Sequence, residues 1–102
     1  MKINQTNPVE QLLIASTEAE FAGDVRLARS LIQQAWNEAQ SDLERCMAAH
    51  YQARYQTTAE QRLMWNQVAM RYAESSDDPM IATFLPSLER NLEHSYAECN
   101  HE

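Results

Sequence analysis

Apolar residues recur every three or four positions along most of the chain, which is the period of amphipathic α-helices. The first helix begins at Asn7-Pro8, with Asn as cap and Pro in the first turn, and Gly23 ends it in a left-handed conformation. Its apolar positions are Val9, Leu12, Leu13, Ala15, Ala19 and Ala22. Asp24 caps a second helix that runs to about Gln40. Its apolar stripe is Ala28, Leu31, Ile32, Ala35, Trp36 and Ala39.

Three more helices follow from the same pattern. Ser41 with Glu44 forms a capping box for helix 3, which runs to a break at Thr57-Thr58. Thr58 with Gln61 forms another capping box, which begins helix 4. Helix 3 aligns Leu43, Cys46, Met47, His50, Tyr51 and Arg54, and helix 4 carries Trp65, Val68, Ala69, Tyr72 and Ala73. After the loop at residues 75–79, Asp78 caps a fifth segment with Leu85, Leu88, Leu92 and Tyr96 on its apolar side. Pro86 lies inside that segment and either kinks one helix or separates two.

Composition supports an all-α chain. It holds one Gly and three Pro in 102 residues, too few turn formers for a β-sandwich or barrel. We expect one domain over residues 1–102, with a frayed start at 1–6 and a tail at 100–102. The predicted architecture is a five-helix antiparallel right-handed stack of helical hairpins.

The first hairpin resembles a tetratricopeptide repeat, a two-helix unit of about 34 residues. Residues 9–42 place Leu12, Ser16, Gly23-Asp24, Ala28, Ile32 and Ala35 at positions typical of the family. Small Ser16 and Ala28 allow the helices to cross closely, whereas Ala15 and Ala19 stand where the family prefers Leu and an aromatic residue. Residues 43–76 form a second, less similar pair, and residues 88–96 resemble a further first helix. The runs at 48–51 and 84–88 are also similar to those of bacterial repeat-like proteins.

The resemblance implies a non-enzymatic module that holds a protein or peptide in a groove lined by helices 1, 3 and 5. The candidate partner contacts are Tyr51, Arg54, Tyr55 and Arg90, because Tyr and Arg are common anchors of protein interfaces. The alternatives are a self-associating bundle, hence a homodimer, and a small acidic inhibitor of a basic site.

Charge bears on the choice of partner. The net charge is −7, and residues 76–102 carry six acidic groups against one basic group. This distribution argues against nucleic acid, since phosphate binding requires clustered Lys and Arg. It motivates the inhibitor alternative, in which Asp77, Asp78, Glu89 and Glu93 would contact the basic site.

The remaining chemistry is sparse. Cys46 and His50 share a helix face, and His94, Cys99 and His101 lie near the end, but Cys46 occupies a position typical of a buried small residue. We therefore predict no metal and no cofactor. The cysteines lack a nucleophile motif and one Gly cannot build a phosphate loop, so we predict no enzyme. With neither a secretory pattern nor a membrane-spanning apolar run, the expected location is cytoplasmic.

Overall fold

The computed structural model describes residues 7–100, which fold into five helices. They are α1 (Pro8–Phe21), α2 (Val25–Glu38), α3 (Asp42–Ala53), α4 (Ala59–Ser75) and α5 (Ile81–Asn100). No strand occurs within those residues, so the all-α class is confirmed. The predicted frayed start at 1–6 and residues 101–102 of the predicted tail lie outside the described part of the chain, whereas Asn100 closes α5.

The turn between α1 and α2 has the predicted capping residues. Asn7 accepts the backbone N–H groups of Val9 and Glu10 at the start of α1. At its end, Gly23 takes φ +85°, its N–H donates to the Glu20 carbonyl over 3.0 Å, and the Asp24 N–H donates to the Ala19 carbonyl over 2.8 Å. These two bonds form a Schellman motif. Asp24 then caps α2 by accepting the Leu27 N–H.

The start of α3 is tied to the start of α1. Ser41 and Glu44 form the predicted capping box, and the other Glu44 carboxylate oxygen accepts the Asn7 side-chain amide over 2.7 Å. Burial alone would raise the pKa of Glu44, but the bonds from the Gln40 N–H, the Asn7 amide and the Ser41 N–H outweigh burial and lower it. One carboxylate thus fixes both the α2–α3 turn and the approach of α1 to α3.

The end of α3 differs from the prediction. The helix stops at Ala53, four residues before the predicted break at Thr57. The N–H groups of Arg54 and Tyr55 donate to the carbonyls three residues earlier in the chain. The Gln56 side-chain amide donates to the Gln52 carbonyl over 2.9 Å. These bonds satisfy the last carbonyls without another helical turn.

Consecutive helices pack against one another, and α1 also contacts α3, a pattern compatible with a stack of hairpins. The close crossings are made by alanines with no exposed surface: Ala28, Ala35, Ala48, Ala49 and Ala69. Two apolar clusters form the core, and Trp36 packs against both. Its ring meets the Trp65 ring edge-to-face at 5.1 Å. The two tryptophans therefore serve in packing, as their helical stripes indicate.

Helix α5 passes through Pro86 without interruption, which resolves the alternative left open by the sequence. Its entry is a tighter turn, in which Asp78 accepts the Met80 N–H on its side chain and the Ile81 N–H on its carbonyl. None of the helices within residues 7–100 is long and apolar enough to cross a membrane.

Candidate functional site

Side chains from α1, α3 and the start of α5 line a groove of about 420 Å³. Helix α1 contributes Glu10, Leu13 and Ile14, and α3 contributes Cys46, Met47, His50 and Tyr51, followed by Arg54 at its C-cap. The third wall consists of Met80, Phe84, Ser87 and Leu88. The groove therefore lies along the first helix of each hairpin and the closing helix.

The floor of the groove belongs to the core, while its walls do not. Leu13, Cys46 and Leu88 are at most 3% exposed. Above them, Ile14 is 54% exposed and Met80 49%, so apolar side chains line an open concave surface. Such surfaces are typical of ligand-binding grooves.

Tyr51 and Arg54, two of the predicted contacts, lie together at one end of the groove. The Arg54 guanidinium lies 5.7 Å from the centre of the Tyr51 ring and 2.9 Å from the Glu20 carboxylate at the end of α1. The Arg54 side chain is thus held between an aromatic ring and a carboxylate.

The other two predicted contacts lie elsewhere. Tyr55 follows the end of α3 and lines a separate pocket of about 340 Å³ between α2 and α3, where the Arg29 guanidinium lies 5.7 Å from its ring centre. Burial, and after it the Glu20 carboxylate, raise the pKa of Tyr55. Arg90 is exposed on α5, three residues beyond Ser87 and outside the groove.

His50 connects the groove to a chain of polar groups between α5 and α4. Its Nδ1 lies 3.4 Å from the Asn91 amide nitrogen. The backbone carbonyl of Asn91 accepts a hydrogen bond from the Ser95 hydroxyl. The Ser95 oxygen in turn accepts one from the side-chain amide of Asn66 on α4. Burial, followed by the nearby Arg54 charge, lowers the pKa of His50. The imidazole is therefore neutral at neutral pH, the form that accepts the Asn91 N–H at Nδ1.

Cys46 and His50, a potential nucleophile and a potential base, both line the groove. Burial raises the pKa of the Cys46 thiol to about 11, so the thiolate is scarce at neutral pH. Within residues 7–100, no three His, Cys, Asp or Glu side chains are placed to hold a metal ion. His94 lies 3.8 Å from the Glu98 carboxylate, and His101 is outside the described residues.

Two of the twelve residues that line the groove, Tyr51 and Arg54, are predicted contacts. The ten that are not include Ile14, Met80 and Phe84. In the sequence, each of these three apolar residues lies next to the buried stripe of its segment and not within that stripe. Ile14 adjoins buried Leu13, and Met80 and Phe84 are four residues apart on one side of the α5 entry. Apolar residues at such positions indicate a second, unpartnered face.

Comparison with known proteins finds no relative. No family model matches the chain, and neither the curated proteins nor the solved structures contain a match. The resemblance to tetratricopeptide repeats therefore stays a prediction.

Proposed function

We propose that the chain is a non-enzymatic interaction module that binds a segment of another protein in the groove between α1, α3 and α5. One observation carries the proposal: Ile14 and Met80 keep about half of their surface exposed on facing walls above a closed apolar floor. Isolated exposed apolar residues are ordinary, but a concave set of them is typical of a binding surface. The lining by α1, α3 and α5 is also what a tetratricopeptide-like stack implies, which supports the proposal.

The groove offers two kinds of contact. Met47 and Met80 are flexible and polarisable, so they adapt to apolar side chains of differing shape. Tyr51 and Arg54 form a fixed pair at one end, and because their geometry is already ordered, little conformational entropy is lost when a partner binds. Arg90 would contact a partner only at the rim, and Tyr55 would act from outside the groove.

The test is selection from a displayed peptide library, followed by fluorescence anisotropy with the enriched peptides. Met80→Glu places a charge on the groove wall, and we expect it to weaken binding at least tenfold, because burying an unpaired carboxylate costs well over about 1.4 kcal/mol. Met64→Glu is the matched control. Met64 is 47% exposed against 49% for Met80, lies on α4 and does not line the groove.

Equal binding by the Met80→Glu and Met64→Glu proteins would contradict the proposal, as would a library that enriches no peptide. Circular dichroism of both variants guards against misfolding. Because both positions are about half exposed, we expect both variants to keep the helical spectrum of the parent chain.

Self-association is a second candidate function, favoured by exposed apolar residues around the α1–α2 turn. Phe21 is 88% exposed, and Val25 and Leu27 are each 46% exposed. Sedimentation over a concentration series would detect a dimer, and we expect Phe21→Ser to abolish it if this turn is the interface. A sedimenting monomer at every concentration would exclude this candidate.

A further inference from the structure

Phe21, the last residue of α1, is an aromatic side chain that projects into solvent. It is 88% exposed, against 54% for Ile14 and 49% for Met80 in the groove. Phe21 belongs to neither of the two core clusters and does not line the groove. A peptide bound in the groove would cover Ile14 and Met80 but not Phe21, so the groove alone does not account for this ring.

Phe21 and the open wall of the groove lie on the same side of α1. Ile14 on that wall and Phe21 are seven residues apart, which is close to two helical turns, so their side chains point in nearly the same direction. At a 1.5 Å rise per residue they are about 10 Å apart along the helix. The chain therefore presents a projecting ring and an apolar groove side by side.

A projecting ring beside a groove is self-complementary under two-fold symmetry. If two α1 helices pack antiparallel about an axis between Thr17 and Glu18, Phe21 of each copy lies opposite Ile14 of the other copy. The groove of about 420 Å³ has room for a phenyl ring. One pairing thus covers both exposed features of both copies.

We propose that Phe21 of a second copy of this chain fills the groove, in a two-fold dimer in which each copy contributes one ring and one groove. The inference rests on self-association, the second of the proposed functions, and adds that the α1–α2 turn and the groove form one interface. A peptide of another protein then competes with the second copy for the groove, so peptide binding depends on the protein concentration.

The buried area fits a reversible dimer and favours a second copy over other occupants. An aromatic side chain buries about 150–250 Å², and each Phe21 covers a similar area of groove wall, so the two contacts bury roughly 600 Å² or more. The α1 surfaces between them bring the total toward the about 1,200 Å² that a specific interface needs. A foreign peptide fills one groove, whereas a second copy makes the contact twice.

Charge opposes this dimer and keeps it weak. Glu18 is exposed and lies four residues from Ile14 and three from Phe21, so the two Glu18 carboxylates flank the two-fold axis. Because salt screens repulsion between like charges, we expect the dimer to tighten as the salt concentration rises. Glu18→Gln should tighten it more than Glu93→Gln, which removes the same charge from the side of α5 turned away from Phe84. Equal effects would contradict the position of the axis.

Two single variants each remove one half of the contact. Phe21→Ser removes the ring and keeps the groove, whereas Met80→Glu keeps the ring and places a carboxylate on the groove wall. In sedimentation over a concentration series, we expect either variant to dimerise at least about tenfold more weakly than the parent chain, because both contacts are lost in either homodimer. Met64→Glu, on α4 and outside the groove, should dimerise like the parent chain.

Mixtures of variants test whether the ring of one copy meets the groove of the other. In a mixed dimer of Phe21→Ser with Met80→Glu, one Phe21 still meets one intact groove. A mixed dimer of the parent with the double variant contains the same side chains, but its one Phe21 meets the substituted groove. We measure both by fluorescence anisotropy with one chain labelled, corrected for the homodimer constants from sedimentation. The first mixture should bind about tenfold more tightly than the second.

The outcomes separate this inference from the proposed functions. Equal affinity in the two mixtures, or a dimer that Phe21→Ser dissociates and Met80→Glu does not, would overturn the inference and leave self-association through the turn alone. A monomer at every concentration would overturn both the inference and self-association. Binding of library-selected peptides to the Phe21→Ser chain, which keeps its groove, tests the interaction module independently of the dimer.

Discussion

Replacement of Gly23 by Ala isolates the conformational cost of the α1–α2 turn. Gly23 has φ +85°, and a Cβ built there has no atom within 4 Å. A steric clash therefore contributes nothing, and only the left-handed backbone disfavours Ala, by about 1–2 kcal/mol. Ala also restricts the unfolded chain, which offsets about 0.4–1 kcal/mol. We expect a net loss of about 1 kcal/mol.

The structure also indicates what a larger loss would mean. If the backbone left the left-handed region, the bonds from Gly23 N–H to Glu20 and from Asp24 N–H to Ala19 would break. Each contributes about 1 kcal/mol, so full loss of the motif would cost at least twice the expected amount. A measured value near 1 kcal/mol therefore means that Ala is held in the left-handed conformation and the motif persists.

Urea denaturation followed by far-ultraviolet circular dichroism measures the change in unfolding free energy. Gly23→Asn is the companion variant, because Asn tolerates the left-handed region better than Ala and should lose less. For a domain of this size, about 1 kcal/mol lowers the melting temperature by about 4–8 °C. An Ala variant as stable as the parent, or an Asn variant less stable than the Ala variant, would refute the reasoning.

Three further predictions concern the core, the groove histidine and the closing helix. Ile32 is 1% exposed, so Ile32→Ala should lower the free energy of unfolding in urea by about 2–5 kcal/mol and Ile32→Val by about 0.5–1.5 kcal/mol. Equal losses would contradict tight packing at this position. Because burial and Arg54 lower the pKa of His50 from 6.5, the unfolded chain binds more protons, so stability should fall as pH drops below 6.5 and His50→Gln should flatten that slope. Pro86 cannot donate to the Ala82 carbonyl, so Pro86→Ala should raise stability by about 1–2 kcal/mol in thermal denaturation; a loss would show that the proline ring is needed for packing.

The helix boundaries set by local chemistry could be predicted from the sequence. Asn7, Gly23, Asp24 and the Ser41–Glu44 box each act on backbone groups within four residues, so their neighbours in the chain suffice to predict them. The capping roles expected for these residues are all present.

The positions of the predicted groove contacts depend on where α3 ends, which the sequence pattern does not indicate. Tyr51 and Tyr55 are four residues apart, and a helix reaching Thr57 would place both on one face. Because α3 ends at Ala53, Tyr55 leaves the helical register and packs between α2 and α3, while Tyr51 stays in the groove. The end of α3 is satisfied by the N–H groups of Arg54 and Tyr55 and by the Gln56 side chain, and none of these residues is a usual helix-ending signal. The separation of the two tyrosines therefore follows only from the structure.

Some departures from local rules lie at the groove, and others, such as the 88% exposed Phe21, lie outside it. Pro86 lies inside α5 between the groove residues Phe84 and Ser87. Ile14 is an exposed apolar residue, and Glu10 one turn before it is a carboxylate without a partner in residues 7–100. Pro86 and Ile14 lower stability or leave it unimproved, whereas Glu10, in the first turn of α1, has the charge that the helix dipole favours. Sequences that fold well break such rules mainly where function requires it, so the positions of Pro86 and Ile14 agree with the role that we propose for the groove.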